Sequence, residues 1–90
     1  MYQINQTDTF NKKSIKFFKK HRDLVPKFKD IIEKLTKDPF EKSLKTHKLK
    51  GNLSDFHACS LTYQYRIILT IEIRDEEIIL VNIGTHDDVY

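Results

Sequence analysis

The feature that most constrains the fold is an apolar pattern between residues 24 and 35 of this 90-residue chain. Apolar side chains recur there at intervals of three and four residues, which is the period of one face of an α-helix. They are Leu24, Phe28, Ile31, Ile32 and Leu35. Asp38 and Pro39 end the pattern, because the residue before a proline avoids the helical conformation. The sequence therefore predicts an amphipathic helix, with Asp23 as its N-cap and Pro26 in its first turn.

A second helix is predicted directly before this one. Its apolar stripe has the same spacing, and lysines fill most of the remaining positions. The stripe consists of Phe10, Ser14, Phe17, Phe18 and His21. Thr7, Asp8 or Thr9 can cap this helix, and residues 1–7 alternate weakly, as in a short strand. We expect the two helices to form an antiparallel pair.

The second half of the chain changes to strand patterns. Residues 40–54 are rich in lysine and show no sustained period, which favours a long loop. Three strands are predicted after it, over residues 56–63, 66–74 and 77–83. Because side chains alternate along a strand, Arg66 lies on one face of the middle strand and an apolar set lies on the other, toward the helices. That set is Ile67, Leu69, Ile71 and Ile73.

These elements together predict an α+β fold. A short N-terminal strand precedes an antiparallel helical hairpin, and the hairpin packs on one face of a small antiparallel sheet. The chain shows no internal repeat or linker, so we expect a single domain over residues 1–90.

Composition excludes several classes of protein. The single cysteine, Cys59, rules out an internal disulfide framework and suits a reducing compartment. No apolar run is long enough to cross a bilayer, and the first residues do not resemble a signal peptide. Zinc-ligand spacing, glycine-rich phosphate loops and nucleophile elbows are missing from the sequence as well. We therefore expect a cytoplasmic protein that uses no metal or cofactor and does not bind membranes.

Charge is distributed unevenly along the chain. The formal net charge is +3, yet fourteen of the sixteen Lys and Arg residues fall within residues 1–54, together with six acidic residues. Residues 55–90 hold two basic and seven acidic residues. A cationic half of this kind attracts phosphate backbones or an acidic protein partner. Lysines that only solvate helix surfaces are the alternative explanation.

Three polar residues are candidates for chemistry: His47 in the loop, Arg66 at the start of the middle strand, and His86 just after the last strand. In an antiparallel meander the end of the third strand lies beside the beginning of the second. His86 and Tyr90 should therefore lie near Arg66 and Tyr65. The loop is long enough for His47 to reach the same end of the sheet, although nothing in the sequence requires it.

These residue types can cleave RNA without a metal ion. A base must remove the proton of the 2′-OH, a cation must stabilise the pentavalent phosphate, and an acid must protonate the 5′ oxygen. Histidine exchanges protons near neutral pH, and arginine is a permanent, fork-shaped donor for phosphate oxygens. Tyr65 and Tyr90 would stack on unpaired bases. Structural roles are the alternative, such as capping histidines and an Arg66 that pairs with Glu72 or Asp87.

Three segments of the chain together resemble one known family. They are His47–Gly51, Tyr63–Leu69 and Ile83–Tyr90, and they contain the patterns H-x-L-x-G and I-G-T-H-x-x-V-Y. In content and in order they are similar to the RelE/ParE toxin superfamily, and most of all to its YafQ-like mRNA interferase branch. The resemblance covers nearly the whole chain, and it implies the same order of strand, helical hairpin and antiparallel sheet that the periodicity predicts.

The resemblance also implies roles for individual residues. His47 and His86 match the two histidines that serve proton transfer and phosphate positioning in the YafQ-like branch. Arg66 matches the sheet arginine that RelE-like proteins use on the scissile phosphate. Tyr65 and Tyr90 match aromatic positions.

Two positions depart from that branch. Ser60 and Gln64 stand where it carries a histidine and an aspartate in the sheet, so the identity of the general base stays open. Around the loop, Lys45, Lys48 and Lys50 could hold phosphates of ribosomal RNA, with solvation as an equally good account of each.

The function implied by this resemblance is that of the toxin in a type II toxin–antitoxin pair. Such a toxin cleaves mRNA in the ribosomal A site, leaves a 2′,3′-cyclic phosphate, and is neutralised by a cognate antitoxin, through which alone it reaches operator DNA. One alternative is a ParE-like toxin that inhibits DNA gyrase without nuclease activity. Another is an inactive relative that acts as an antitoxin-bound co-repressor. The polar residues near Arg66 favour the nuclease over the gyrase inhibitor.

Overall fold

In the computed structural model, which describes residues 1–89, two helices pack on one face of a five-stranded sheet. The strands and helices are, in chain order, β1 (Gln3–Gln6), α1 (Asp8–Lys20), α2 (Val25–Lys37), β2 (His47–Lys48), β3 (His57–Ser60), β4 (Tyr65–Glu72), β5 (Glu77–Thr85) and α3 (His86–Val89). Single turns of 3₁₀-helix lie at Arg22–Leu24, Lys42–Leu44 and Gly51–Leu53. The predicted α+β fold is confirmed, while Tyr90 lies outside the described residues.

Helix α1 begins at one of the three predicted caps. The Oγ1 of Thr7 accepts a hydrogen bond from the backbone N–H of Phe10 at 3.0 Å, which satisfies one of the unpaired donors of the first turn. Asp8 follows in the first turn, and Lys19 and Lys20 lie in the last. These charges complement the helix dipole, so capping and electrostatics agree on both ends of the helix.

Helix α2 begins differently from the prediction. Pro26 lies in the first turn, as expected, but Asp23 is not the N-cap. The N-cap is Leu24, which has α-helical backbone angles and no side-chain capping bond. Asp23 lies instead within the 3₁₀ turn that leads directly into the helix. The chain therefore offers no extended residue at which a side-chain cap could form. Asp38 ends the helix in an extended conformation, as the sequence predicts.

The sheet has the strand order β1-β5-β4-β3-β2. Strands β2 to β5 pair in antiparallel fashion, which confirms the predicted meander. Strand β1 joins the sheet in parallel to β5, with Gln3 opposite Glu77 and Gln6 opposite Leu80. The sheet is therefore mixed rather than purely antiparallel. Side-chain alternation in β1 carries no information about its partner strand, so the sequence could not predict this pairing.

The predicted loop over residues 40–54 contains more structure than expected. Two residues, His47 and Lys48, form β2 at the sheet edge, opposite Ala58 and His57 of β3. Two of the 3₁₀ turns flank this strand. A two-residue strand is shorter than any pattern that periodicity can detect, which is why the prediction of a loop was wrong here.

The main core lies between the sheet and the two long helices. Its fully or almost fully buried residues include Phe10 of α1, Leu35 of α2, and Ile67 and Leu69 of β4. Ile71 packs against this core, in agreement with the predicted face of β4. Ile73 does not: it is 63% exposed, because β4 ends at Glu72.

A second, smaller apolar cluster covers part of the opposite face of the sheet. Leu49, Ala58 and Ile68 are its buried members. Residues from the segment after β2 and from α3 pack around them, namely Leu53, Phe56 and Val89, with Val81 of β5. This face is therefore covered in its middle, and Arg66 lies at the end of the same face. No helix within residues 1–89 has the length and apolar character needed to cross a membrane.

Candidate active site

Arg66 is held in place by the turn that joins β3 to β4. It pairs with Ser60 on one side and with Gly84 on the other, on the sheet face away from α1 and α2. Its Nη1 donates to the carbonyl oxygens of Thr62 at 2.7 Å and Tyr63 at 3.0 Å, and lies 3.3 Å from Ser60 Oγ. The half-buried guanidinium is thus anchored through one of its nitrogens at this end of the sheet.

The segment from Gly84 to Asp88 has a reciprocal capping arrangement. The backbone N–H of Asp88 donates to Thr85 Oγ1 at 3.3 Å, and the backbone N–H of Thr85 donates to Asp88 Oδ2 at 3.2 Å. This is a capping box, in which two residues three apart satisfy each other's donors. The hydrogen bonds from Thr85 hold the pKa of the Asp88 carboxyl below its usual value. The box fixes the start of α3.

Gly84 is the residue that lets α3 fold back on the sheet. A Cβ atom at this position would lie 2.8 Å from the Cβ of Asp88, closer than two such carbon atoms approach in proteins. Because Gly84 is also the cross-strand partner of Arg66, α3 packs on β5 directly next to Arg66.

His86 is the first residue of α3, and its side chain is 68% exposed. Its Nδ1 lies 3.7 Å from Asp87 Oδ1, so the two form an ion pair when the imidazole is protonated. The preceding residue, Thr85, is paired with Tyr65, and Gly84 is paired with Arg66. The expected position of His86 at Arg66's end of the sheet is confirmed by this register, while its catalytic role stays a prediction.

His47 lies on the same sheet face as Arg66, two strands away. Directly paired residues point to the same side, and His47 pairs with Ala58, which pairs with Ile68, two residues along β4 from Arg66. With strands about 4.8 Å apart, the backbone of His47 is roughly 10 Å from β4. The Nδ1 of His47 lies 3.0 Å from the carbonyl oxygen of Lys45. A carbonyl can only accept, so Nδ1 carries the proton and Nε2 of the neutral ring is the basic atom.

The side chain of Tyr65 points away from that of Arg66. Its side chain lies on the helix face of the sheet, where its ring centroid is 4.9 Å from those of Phe17 and His21. Its hydroxyl is 3.4 Å from His21 Nε2. The expectation that Tyr65 stacks on bases next to Arg66 is therefore not supported by its position. Tyr90, the second predicted stacking residue, falls outside the described residues.

The three lysines of the predicted RNA-binding segment are exposed. Lys45 has a left-handed backbone with φ of 53° at the turn before β2, Lys48 lies in β2, and Lys50 follows it. Between the last two, Leu49 is buried in the second apolar cluster and ties the segment to the sheet. Lys48 alternates with His47 along β2, so its side chain points to the opposite face of the sheet, while Lys45 and Lys50 flank the strand.

Sequence reasoning missed the part played by Ser60. The family resemblance identifies Ser60 only as a departure from its pattern, yet the Oγ of Ser60 donates to the carbonyl of Thr62 at 2.9 Å and lies 3.3 Å from Arg66 Nη1. Ser60 therefore supports both the turn and the arginine. The register of the β3–β4 hairpin would have revealed this contact. The strand predicted over residues 56–63 includes the residues of the turn, however, because β3 ends at Ser60. Gln64 is exposed in that turn.

Two other reactive residue types lie away from this site. The Nδ1 of His57 is buried and has no hydrogen-bond partner within residues 1–89. Burial, followed by the charges of Lys48 and His47, lowers the pKa of His57, so the ring is neutral at neutral pH. Burial raises the pKa of the Cys59 thiol to about 12. In the described part of the chain, no group of three or more His, Cys, Asp or Glu residues is arranged to hold a metal ion.

Comparison with known proteins identifies one family. The family model described as "Bacterial toxin of type II toxin-antitoxin system, YafQ" matches residues 2–90. No curated protein sequence matches the chain.

Several solved structures have the same fold. A metal-bound toxin from Helicobacter pylori is 26% identical, with a TM-score of 0.84 and full coverage of both chains. YafQ from E. coli is 17% identical, with a TM-score of 0.81 over 100% of this chain and 99% of that one. YafQ in the E. coli DinJ–YafQ complex is 17% identical, with a TM-score of 0.79 and the same coverage.

Proposed function

The chain belongs to the YafQ family of bacterial toxins of type II toxin–antitoxin systems, and on this premise we propose that it is an endoribonuclease that cleaves mRNA in the ribosomal A site. A cognate antitoxin neutralises it, as DinJ is bound to YafQ in the E. coli complex. The toxin meets operator DNA only through that antitoxin.

The observation that carries this proposal is the anchored guanidinium of Arg66 at the same end of the sheet as His86. The β3–β4 turn holds Arg66 by Nη1, which fixes where its remaining N–H groups are presented. His86 follows directly on the two residues of β5 that pair with β4 there. A fixed cation beside an exchangeable proton is what the transition state of phosphodiester cleavage requires.

The proposed reaction uses the 2′-OH of the substrate as the nucleophile. Its oxygen forms a bond to the adjacent phosphorus while the bond from phosphorus to the 5′ oxygen breaks, which leaves a 2′,3′-cyclic phosphate and a 5′-OH. Arg66 stabilises the additional negative charge on the phosphate. The two protons are moved by His47 and His86.

The hydrogen bonds of the two histidines favour one assignment of roles. Nε2 of neutral His47 carries the lone pair, which suits the base that takes the 2′-OH proton. The Nδ1 of His86 lies 3.7 Å from Asp87 Oδ1, a carboxylate oxygen, which suits the acid that protonates the leaving 5′ oxygen. His47 is about two strands from Arg66, so the bound RNA has to span this distance. Positioning of the mRNA by the ribosome would contribute to catalysis in addition to these side chains.

The experiment that tests the proposal is to map mRNA 5′ ends in cells after induction of the intact protein. His86→Ala and Arg66→Ala should remove codon-phased cuts. Arg74→Ala is the matched control for Arg66→Ala. Arg74 is also an arginine, but it lies in the exposed turn after β4, at the opposite end of the strand from Arg66. Growth arrest with altered DNA supercoiling and intact mRNA would refute the nuclease and support gyrase inhibition instead.

A further inference from the structure

Tyr63 has the most exposed large apolar or aromatic side chain among residues 1–89, and it lies in the turn that anchors Arg66. Its exposed fraction is 96%, against 49% for Phe40, the other exposed aromatic residue of this range. The backbone oxygen of Tyr63 accepts a hydrogen bond from Arg66 Nη1 at 3.0 Å. The ring is joined to this carbonyl group through only the Cα and Cβ atoms, so it begins a short distance from the guanidinium.

Hydrogen bonds within the turn hold the backbone around Tyr63 in place. The N–H groups of Leu61 and Thr62 both donate to Tyr65 O, at 3.0 and 3.2 Å. The Oγ1 of Thr62 accepts from the N–H groups of Gln64 and Tyr65, each at 3.2 Å. Leu61 is buried in the main core and ties the turn to it. A ligand that contacts the ring therefore has little backbone freedom to remove, which lowers the cost of binding.

A cleft of about 310 Å³ adjoins this turn. It lies beside the end of β3, beyond the two residues of that strand that pair with β2. Tyr63, Ser60 and Lys45 are among its lining residues, and α2 contributes to the other side. Ser60 Oγ lies 3.3 Å from Arg66 Nη1, so a wall of the cleft touches the guanidinium. Small-molecule sites begin at about 300 Å³, so the cleft has room for one base beside the ring.

The other aromatic candidates face away from this site. Tyr65 packs on the helix face of the sheet. The ring of Phe40 lies 5.8 Å from that of His57, whose partner Leu69 is buried in the main core, so Phe40 is also on the helix side. Of the largely exposed aromatic rings within residues 1–89, Tyr63 is therefore the one beside the proposed active site.

From this arrangement we infer that Tyr63 stacks on the base of a nucleotide next to the scissile phosphate. The inference rests on the proposed function. A phosphate bound by Arg66 brings the adjoining bases close to the turn, and an aromatic ring stacks on the face of any base. A nucleotide offers a planar base and an anionic phosphate side by side, which match the ring and the guanidinium.

The test is the binding of a short single-stranded RNA to the isolated protein, with every 2′-OH methylated so that the strand cannot be cleaved. We expect Tyr63→Ala to weaken binding about tenfold, because the stacking of one base is lost. Tyr63→Phe keeps the ring and should bind as the intact protein does. The slope of log K against log salt should stay the same in both variants, since no positive charge is removed. The side chain is almost wholly exposed, so neither substitution disturbs the packing of the turn.

Fluorescence provides a second readout, because the chain contains no tryptophan. Tyr63→Trp introduces a single indole ring at the proposed stacking position. Phe40→Trp is the matched control, because it introduces a single indole at the other exposed aromatic position, on the helix side of the sheet. We expect the methylated RNA to quench the fluorescence of Tyr63→Trp and to leave that of Phe40→Trp nearly unchanged.

Unchanged RNA affinity in Tyr63→Ala would overturn the inference and leave the ring to a protein partner. Equal weakening in Tyr63→Ala and Tyr63→Phe would also overturn it, because stacking needs only the ring. Equal quenching of the two tryptophan variants, or no quenching of Tyr63→Trp at any RNA concentration, would overturn it as well. The methylated RNA reports binding alone. A protein that gives the expected binding results but leaves mRNA uncut in cells contradicts the proposed reaction and leaves the contact between Tyr63 and RNA intact.

Discussion

Asp88 packs so closely against Gly84 that only glycine fits at position 84: a Cβ there would lie 2.8 Å from the Cβ of Asp88. Asp88 in turn closes the capping box with Thr85, and that box begins the helix on which His86 lies. The position of the imidazole relative to Arg66 therefore depends on the missing side chain of one glycine.

The first prediction concerns this contact. Gly84→Ala forces α3 away from the sheet, because the added methyl group overlaps Asp88. We expect a loss of stability of about 1–3 kcal/mol, which is typical of overpacking. We also expect a fall of about a hundredfold in mRNA cleavage from misplacement of His86. Denaturant unfolding and cleavage assays measure the two effects. Wild-type cleavage by a correctly folded variant would show that α3 does not position the site.

The second prediction concerns the capping box. The hydrogen bonds from Thr85 lower the pKa of Asp88. A carboxyl group with a lowered pKa stabilises the folded protein at pH values above the ordinary pKa of the group. This contribution is lost as the pH falls through the lowered pKa. In Thr85→Ala the hydroxyl is gone, so the Asp88 pKa should rise toward its ordinary value. Thr85→Ser keeps the hydroxyl and should leave it unchanged. NMR titration of the Asp88 carboxyl distinguishes the two, and equal titration in both variants would contradict the prediction.

The third prediction separates charge from geometry at Arg66. Arg66→Lys keeps the positive charge but loses the planar guanidinium. In Arg66, Nη1 donates to the carbonyl oxygens of the turn, and the other N–H groups stay available for a phosphate. Cleavage should fall about a hundredfold. Amide hydrogen exchange should become faster at Leu61 and Thr62, whose N–H groups bond to Tyr65 O in the same turn. Arg74→Lys is the control, because it is the same replacement of an arginine by a lysine at a position outside the site. Unchanged exchange in Arg66→Lys would show that the turn does not need the arginine.

The fourth prediction concerns Cys59, which is completely buried. Its thiol has a pKa of about 12 because of that burial, so very little thiolate forms at neutral or mildly alkaline pH. A thiol reagent such as DTNB should not react with the folded protein and should react with one equivalent of thiol in denaturant. Full reaction under native conditions would mean that β3 opens readily.

The fifth prediction concerns the pH dependence of stability. The pKa of His57 is lowered in the folded state, first by burial and then by Lys48 and His47. The unfolded chain therefore binds this proton more readily, so stability should fall as the pH decreases through the ordinary value of 6.5. His57→Leu removes this titration, and it should flatten the stability curve between pH 7 and pH 5. Unfolding midpoints across this range test it, and parallel curves for the two proteins would contradict the role of His57.

The helices could be predicted from sequence because their causes are local. The apolar stripes, the Thr7 cap and Pro39 all act within a few residues of the elements that they define. Partners of strands are not local, so the parallel position of β1 and the two-residue β2 could not be inferred. Ile73 was misplaced for a similar reason, since alternation does not indicate where a strand stops.

The candidate site was only partly predictable. The proximity of His86 to Arg66 follows from the order of antiparallel strands, and the register confirms it. The position of Tyr65 could have been predicted, because it has the same parity in β4 as Ile67 and so points to the helices. The T-x-x-D signature of the capping box is also present in the sequence at Thr85. The support from Ser60 required the exact hairpin register.

The parallel pairing of β1 with β5 dictates the order in which the chain can assemble. Thr7 and its partner Val81 are 74 residues apart, so the N-terminal strand waits for its neighbour until β5 has been synthesised. The two helices can form earlier, since their contacts are close in sequence. Docking of the first strand is therefore the step that completes this edge of the sheet, and a nascent toxin stays incomplete until β5 has left the ribosome.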